Sequence, residues 1–343
     1  MLDDLKYIHQ RDSQDALGIA EKQWQQLQHT FEVPDIGGNY ENIVYAGMGG
    51  SALAGYLSIS WPGYKLPFEI CRQYHIPAYV SQKTLFIASS YSGNTEEVLS
   101  ALAEAEQRGA KIIIISYDGE LHEIAKRKSY PYLSIPKTQQ PRYSVLYNLK
   151  ALVSVLEKAG LTDDQTAETQ MGAAAAFLGD SVASWLPTVS TETNPAKKLA
   201  MELAGKSPVI YAGPLLAPVA YKWKININEN AKNVAWWNQL PEFNHNEFIG
   251  WSAQPIEKPY AVVDLRSNLE NERVQKRFEV TEKLLSGRRP SAHIVQAQGQ
   301  DLLQQLVWTI AYGDFVSIYL GLINNVDPGP VDLVEKFKAE LNK

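Results

Sequence analysis

The residues in this chain whose types and spacing could do chemistry are four hydroxyls on two glycine-bearing turns. Ser51 closes the run Gly47-Met48-Gly49-Gly50-Ser51, and Ser90, Ser92 and Thr95 lie in SSYSGNTEEVLSA (89–101). Glycine lets a backbone approach a ligand closely, and a hydroxyl can donate to an oxyanion while accepting elsewhere. Placed before a helix, such a turn also offers unpaired amides at the positive end of the helix dipole, which attract phosphate without a lysine. An ordinary explanation competes for single residues: Thr95 followed by Glu96, Glu97 and Val98 is also a common helix start. Four hydroxyls on two such turns exceed what capping requires, and they favour a phosphate site.

These turns must be held by regular elements, and the pattern supplies them. Short β-rich runs recur at NIVYAG (42–47), FEICR (68–72), TLFIAS (84–89), KIIIIS (111–116) and YLSI (132–135). Between the third and fourth, Val98, Leu102 and Ala105 repeat at near-helical spacing and Gly109 follows as a stop, which makes a β-α-β unit. Runs as continuously apolar as IIIIS suit strands covered on both faces, so the first half reads as α/β, a mostly parallel doubly wound sheet flanked by helices. Both turns then fall at carboxyl ends of strands, where parallel sheets bind ligands.

From 161 to 195 the chain turns rich in Ala, Thr, Ser and Asp, as helical linker material would. A second strand series follows in PVIYAG (208–213), YAVVDL (260–265) and AHIVQA (292–297). IVYAGMGGSALAGYL (43–57) aligns loosely with VIYAGPLLAPVAYKW (209–223), where the Gly-Gly-Ser is absent. The expected organisation is a first domain over 1–160, a helical linker over 161–195 and a second domain of the same kind over 196–343.

Composition narrows the function classes. With 32 Lys+Arg against 38 Asp+Glu, the formal charge of −6 argues against a nucleic-acid partner. The single cysteine, Cys71, allows no internal disulfide, suits a reducing compartment and is expected to be a buried small hydrophobe. The opening MLDDLKYIHQRDSQD has acids where a signal peptide has bases, and no apolar run is expected to reach the roughly 20 residues of a membrane span, so a cytoplasmic protein without a membrane partner is anticipated. Gly47-x-Gly49-x-x-Ala52 also fits a dinucleotide fingerprint, but the next strand ends in Cys71-Arg72-Gln73 where a ribose-binding acid belongs. That reading is weakened, and a dinucleotide domain has no need of the serine-rich turn.

GMGGSA together with SSYSGNTEEVLSA resembles the sugar isomerase (SIS) domain, whose Ser/Thr-rich loop holds the phosphate of a phosphosugar. QPR (140–142), NENAKN (228–233) and LPEFNHNEFIGW (240–251) narrow the resemblance to the bifunctional phosphoglucose/phosphomannose isomerase family, dimeric proteins made of two SIS domains. The likeness covers nearly the whole chain in order. It implies a hexose 6-phosphate substrate, a homodimer and no cofactor or metal, with the phosphate held by Gly50, Ser51, Ser90, Ser92 and Thr95. It also carries a catalytic base onto Glu229, a ring-opening histidine onto His245, an arginine near the reacting carbons onto Arg142 and a lysine onto Lys338, with Lys336 two residues away as the other register.

These residue types suit an aldose–ketose isomerisation. A carboxylate can take the proton from C2 and return it at C1. Glu229 shares a helix face with Asn226 and Asn230, although a surface acid paired with Lys232 would look similar in sequence. Histidine titrates near neutrality and can move protons during ring opening; the polar cluster Asn244-His245-Asn246-Glu247 could fix its tautomer. Arginine stays charged and can stabilise an enediolate. No His/Asp/Glu set shows metal-ligand spacing, and Trp236, Trp237 and Trp251 are expected in the core or at a subunit contact. Two alternatives stay open: a non-catalytic phosphosugar sensor, which needs the turns but neither Glu229 nor His245, and an aminosugar phosphate isomerase.

Overall fold

The computed structural model describes residues 1–162, 166–253 and 259–341. The chain opens with α1 (Leu5–Arg11) and α2 (Ala16–Lys22). It continues through β1 (Asn42–Ala46), α3 (Gly49–Ser60), β2 (Phe68–Cys71), β3 (Thr84–Ser90), α4 (Glu96–Gln107), β4 (Lys111–Ser116), α5 (Glu120–Lys128), β5 (Tyr132–Ser134) and α6 (Val145–Lys158). The five strands pair in parallel in the order β2-β1-β3-β4-β5. Each coincides with a run singled out in the sequence.

Alternate residues along a strand face opposite sides, so a sheet covered twice needs apolar residues at every position. Val44, Phe86, Ala88, Ile112 and Ile114 pack on Val98, Leu102 and Ala105 of α4 and on Leu121 and Ala125 of α5. On the other face Ile43, Tyr45, Leu85, Ile87, Ile113 and Ile115 pack on Ala151, Leu152, Val155 and Leu156 of α6. Cys71 is buried on the first face with its thiol toward the carbonyls of Gln73 and His75, and burial pushes the thiol pKa up.

The chain passes through α7 (Ala167–Val182), and α8 (Pro195–Leu203), β6 (Ser207–Ala212), α9 (Ala217–Asn230), β7 (Trp236–Gln239), α10 (Glu247–Gly250), β8 (Tyr260–Arg266), α11 (Glu272–Leu285), β9 (His293–Gln296), α12 (Leu302–Ile323) and α13 (Asp332–Leu341) follow; a second sheet forms among them. Its strands are parallel in the order β7-β6-β8-β9, which repeats β2-β1-β3-β4 strand for strand. β7 went unnoticed in the sequence because WWNQ has neither alternation nor β-branched residues. Trp236 on this edge strand is 58% exposed, so it is not a core residue; Trp251 is buried beside Tyr260.

The chain divides into two compact units, one of Lys22–Leu178 and one of Met1–Glu21 with the chain from Gly179 onward. The first 21 residues therefore sort with the second sheet, where a division after 160 had set them with the first. The Tyr7 hydroxyl donates to the Leu322 carbonyl at 2.7 Å, and Lys197 donates to Asp3 at 3.0 Å.

α12 corrects the expectation that no segment approaches membrane-spanning length. It has 22 residues and is long and apolar enough to cross a membrane, but it is mostly buried within the fold. Buried Gln305, Asp314 and Ser317 interrupt its apolar run in the sequence, and it serves as the central helix of its unit.

Candidate active site

The two turns of the first sheet lead into helices with open N-termini. Neither Met48 at the head of α3 nor Thr95 at the head of α4 makes a side-chain capping bond, as is also true at the heads of α5, α6 and α9, whereas Asp4, Asn194, Asn271 and Asp301 cap α1, α8, α11 and α12. Thr95 Oγ1 instead lies 2.7 Å from Ser90 Oγ, which is 3.4 Å from Ser92 Oγ and accepts the Gly93 amide at 3.2 Å. Three of the four hydroxyls thus form one cluster at the carboxyl end of β3. The fourth joins it through the backbone: the Tyr91 amide donates to Ser51 Oγ at 3.1 Å.

Glycine is required where these turns are tightest. Gly93 has φ +72°, and a Cβ there would stand 1.7 Å from the Asp118 carbonyl oxygen. At Gly50 a Cβ would come within 3.0 Å of the Pro141 oxygen and 3.3 Å of Arg142 Cα, so the glycine turn and the segment bearing Arg142 are in backbone contact. Arg142 is 2% exposed on a 3-10 turn, Pro141–Tyr143, with its guanidinium 4.7 Å from the Tyr143 ring centroid. It donates to Gln140 Oε1 at 3.5 Å and to the Tyr143 hydroxyl at 3.4 Å. The structure therefore brings together Gly50, Ser51, Ser90, Ser92, Thr95 and Arg142. Sequence reasoning passed over Tyr91, although it stands inside the serine-rich stretch.

The second sheet shows what became of the corresponding turn. Beyond β6, Gly213 leads to the head of α9, and Glu270 from the loop after β8 fills the place with its own carboxylate: Oε1 accepts the Leu215 amide at 2.7 Å. Burial raises the Glu270 pKa, and hydrogen bonds from the Leu215 and Leu216 amides oppose that shift. A Cβ on Gly213 would meet the same oxygen at 2.3 Å. A carboxyl group of the chain itself thus fills the turn after β6.

Glu229 is half-buried in the last turn of α9. Lys222, Asn226 and Asn230, spaced four apart, form the face of α9 that meets α12. Lys222 Nζ and Asn226 Nδ2 both donate to the buried Asp314 carboxylate, Asn230 Nδ2 donates to Ser317 Oγ at 2.9 Å, and a Cβ on Gly321 would lie 2.5 Å from the Asn230 carbonyl oxygen. Asn226 and Asn230 are therefore locked onto α12, and their part is to fix the helix that presents Glu229. Beyond it, Lys232 at φ +50° donates from Nζ to the backbone carbonyl of Glu229 at 2.8 Å and to that of Asp327 at 2.5 Å.

His245 is exposed at the end of the 3-10 turn Glu242–His245. The neighbours expected to fix its tautomer are engaged elsewhere. Asn244 bonds to Thr281 and Arg277, Asn246 donates to Glu242 and caps α10, and Glu247 accepts from the Tyr211 hydroxyl and from Asn238 at 2.6 Å. Lys338 stands on the exposed α13 and pairs with Glu335 at 2.8 Å. Glu229, His245 and Lys338 belong to the unit of the second sheet, and the hydroxyl-bearing turns and Arg142 to the unit of the first.

Residues 192–341 match the family model described as the bacterial phospho-glucose isomerase C-terminal SIS domain. A bifunctional phosphoglucose/phosphomannose isomerase of Caldicellulosiruptor bescii is 36% identical over 88% of this chain and 89% of its own, and that of Aquifex aeolicus is 32% identical over 89% and 91%. A D-glucosamine-6-phosphate 4-epimerase of Sulfolobus acidocaldarius is 36% identical over 62% of this chain and 65% of its own. Among solved structures, a glucose-6-phosphate isomerase-like protein from Thermus thermophilus superposes with a TM-score of 0.65 at 20% identity, covering 97% of this chain and 99% of that one. The C-terminal domain of glucosamine-fructose-6-phosphate aminotransferase from Francisella tularensis does so with 0.66 at 16%, covering 96% and 98%. Two repeated parallel sheets, an open pair of turns on the first and full-length relatives above 30% identity agree: this chain belongs to the bifunctional phosphoglucose/phosphomannose isomerase family.

Proposed function

We propose that the protein is a cofactor-independent aldose–ketose isomerase that interconverts glucose 6-phosphate and mannose 6-phosphate with fructose 6-phosphate. The observation that carries this reading is the pair of uncapped helix heads with their joined hydroxyls, Ser51, Ser90, Ser92 and Thr95, built beside Arg142. The turns and Gly50 hold the 6-phosphate and so fix the distance from the anchor to C1 and C2. His245 moves protons at the ring oxygen and O1 as the sugar opens. The Glu229 carboxylate then takes the C2 proton; the freed pair becomes the C1=C2 bond, the carbonyl pair passes to O1, and O1 takes up a proton. Return of the proton to C1, with loss of the proton on O2, gives the ketose. Arg142 stabilises negative charge on O1 and O2, and Lys338 adds a second cation. Because the aldoses differ only at C2, which becomes planar, one enediol serves both.

The reading further supposes a cytoplasmic homodimer acting in glycolysis and gluconeogenesis, with His245 serving the neighbouring subunit's site. The test is fructose 6-phosphate formation by the purified protein from glucose 6-phosphate, mannose 6-phosphate and glucosamine 6-phosphate in turn, without added metal or nucleotide. Turnover of the first two supports the reading. Conversion of the aminosugar alone, which takes up water and releases ammonium as fructose 6-phosphate forms, replaces it with an aminosugar phosphate isomerase, and binding without conversion of any replaces it with a sensor.

A further inference from the structure

A continuous set of hydrogen bonds joins the phosphate-binding hydroxyls to the buried arginine, and one tyrosine is its middle. The Tyr91 amide donates to Ser51 Oγ at 3.1 Å, so its backbone belongs to the serine-rich turn. Its hydroxyl donates to the Thr138 carbonyl at 2.8 Å and accepts the Thr138 amide at 2.5 Å, so its side chain belongs to the loop that carries Arg142. Thr138 Oγ1 donates to the Gln140 carbonyl at 3.0 Å, and Arg142 donates to the Gln140 side chain at 3.5 Å. The Tyr91 ring is stacked on Tyr117 with centroids 5.7 Å apart, which fixes the direction of the hydroxyl. The Tyr117 amide also bonds to the Tyr91 carbonyl at 3.1 Å. From the far side, Gly50 lies against Pro141 and Arg142.

We propose that Tyr91 is a positioning residue that sets the Arg142 guanidinium relative to the phosphate turns. The proposal rests on the reading of Arg142 as the group facing the reacting carbons. The phosphate sits at one end of the substrate and the carbons at the other, so an isomerase must fix the span between its anchor and its cation. Hydroxyls on a turn and an arginine on a separate loop do not do so by themselves. The Tyr91 side chain bridges the two, and its own hydroxyl lies outside the Ser51–Ser90–Ser92–Thr95 cluster.

Tyr91→Phe removes the two bonds to Thr138 and keeps the ring stack and the amide bond to Ser51. For this variant kcat is expected to fall about tenfold or more, as small misplacements of a polarising group do. The inhibition constant of inorganic phosphate, read as a competitive inhibitor in the same assay, stays within about twofold because the anchor is intact. Arg142→Ala serves as the reference. Loss of kcat in both variants with unchanged phosphate inhibition supports the proposal. Full kcat in Tyr91→Phe beside a crippled Arg142→Ala overturns it while leaving the arginine's role standing. An active Arg142→Ala overturns both. Weakened phosphate inhibition in Tyr91→Phe, matching the loss of kcat, also overturns it, since the tyrosine would then serve the anchor.

Discussion

Thr95 begins α4, yet its hydroxyl lies 2.7 Å from the Ser90 hydroxyl and makes no bond to the helix's own amides. A residue at the capping position that does not cap leaves the helix head open to an outside anion. Ser90→Ala should therefore weaken competitive inhibition by inorganic phosphate about 10- to 100-fold, the range for one hydrogen bond to a charged group at ~1.5–3 kcal/mol. The KM for the sugar phosphate should rise with it and kcat should change less. Unchanged phosphate inhibition would move the anion elsewhere.

Gly93 and Gly119 interlock two loops. Each has positive φ, and a Cβ on either would strike the other loop's backbone, at 1.7 Å from Asp118 O and 2.2 Å from Ser92 O. Gly93→Ala is expected to cost about 3 kcal/mol through strain and displacement of the serine turn. Thermal melting of the variant should show the loss, together with weakened phosphate inhibition from the same displacement.

The Lys222–Asp314 pair is buried, with side chains 1% and 6% exposed. Removing one partner strands the other charge, so Asp314→Leu should destabilise by about 3–5 kcal/mol, and Lys222→Met combined with it should recover most of that. Denaturant titration of the single and double variants measures both. Equal instability in the two would show that shape, and not charge, holds α9 on α12.

Glu270 fills the turn after β6, where its Oε1 accepts the Leu215 amide at 2.7 Å. Glu270→Ala is expected to lose about 1–3 kcal/mol by leaving buried amides unpaired. Added sulfate should then raise the variant's melting temperature by more than it raises the parent's, by filling the vacated place. Equal increments would mean that the position is not an anion site.

Much of this was legible in the sequence for identifiable reasons. The KIIIIS run suits a strand covered on both faces, and SSYSGNTEE suits a turn entering a helix, so the first sheet and its two hydroxyl-bearing turns could be placed from pattern alone. Other features depend on partners distant in the chain. Asn226 and Asn230 look like companions of Glu229 until α12 supplies Asp314 and Ser317. The carboxyl of Glu270 lies 55 residues from the Leu215 amide it accepts, and the bond from Tyr91 to Thr138 spans 47. His245 shows the converse: its polar neighbours suggested a local network, but each turns to a residue outside the cluster.

Glu229 is proposed above to move the proton between C1 and C2. Steady-state turnover of glucose 6-phosphate by Glu229→Gln, with binding of the same sugar phosphate followed by calorimetry, addresses it directly. The expected result is a kcat lower by about 100- to 10,000-fold, the range for loss of a general base, with binding within about threefold of the parent. Turnover within about tenfold of the parent by a variant that binds normally would contradict it and return the search for the base to the remaining carboxylates.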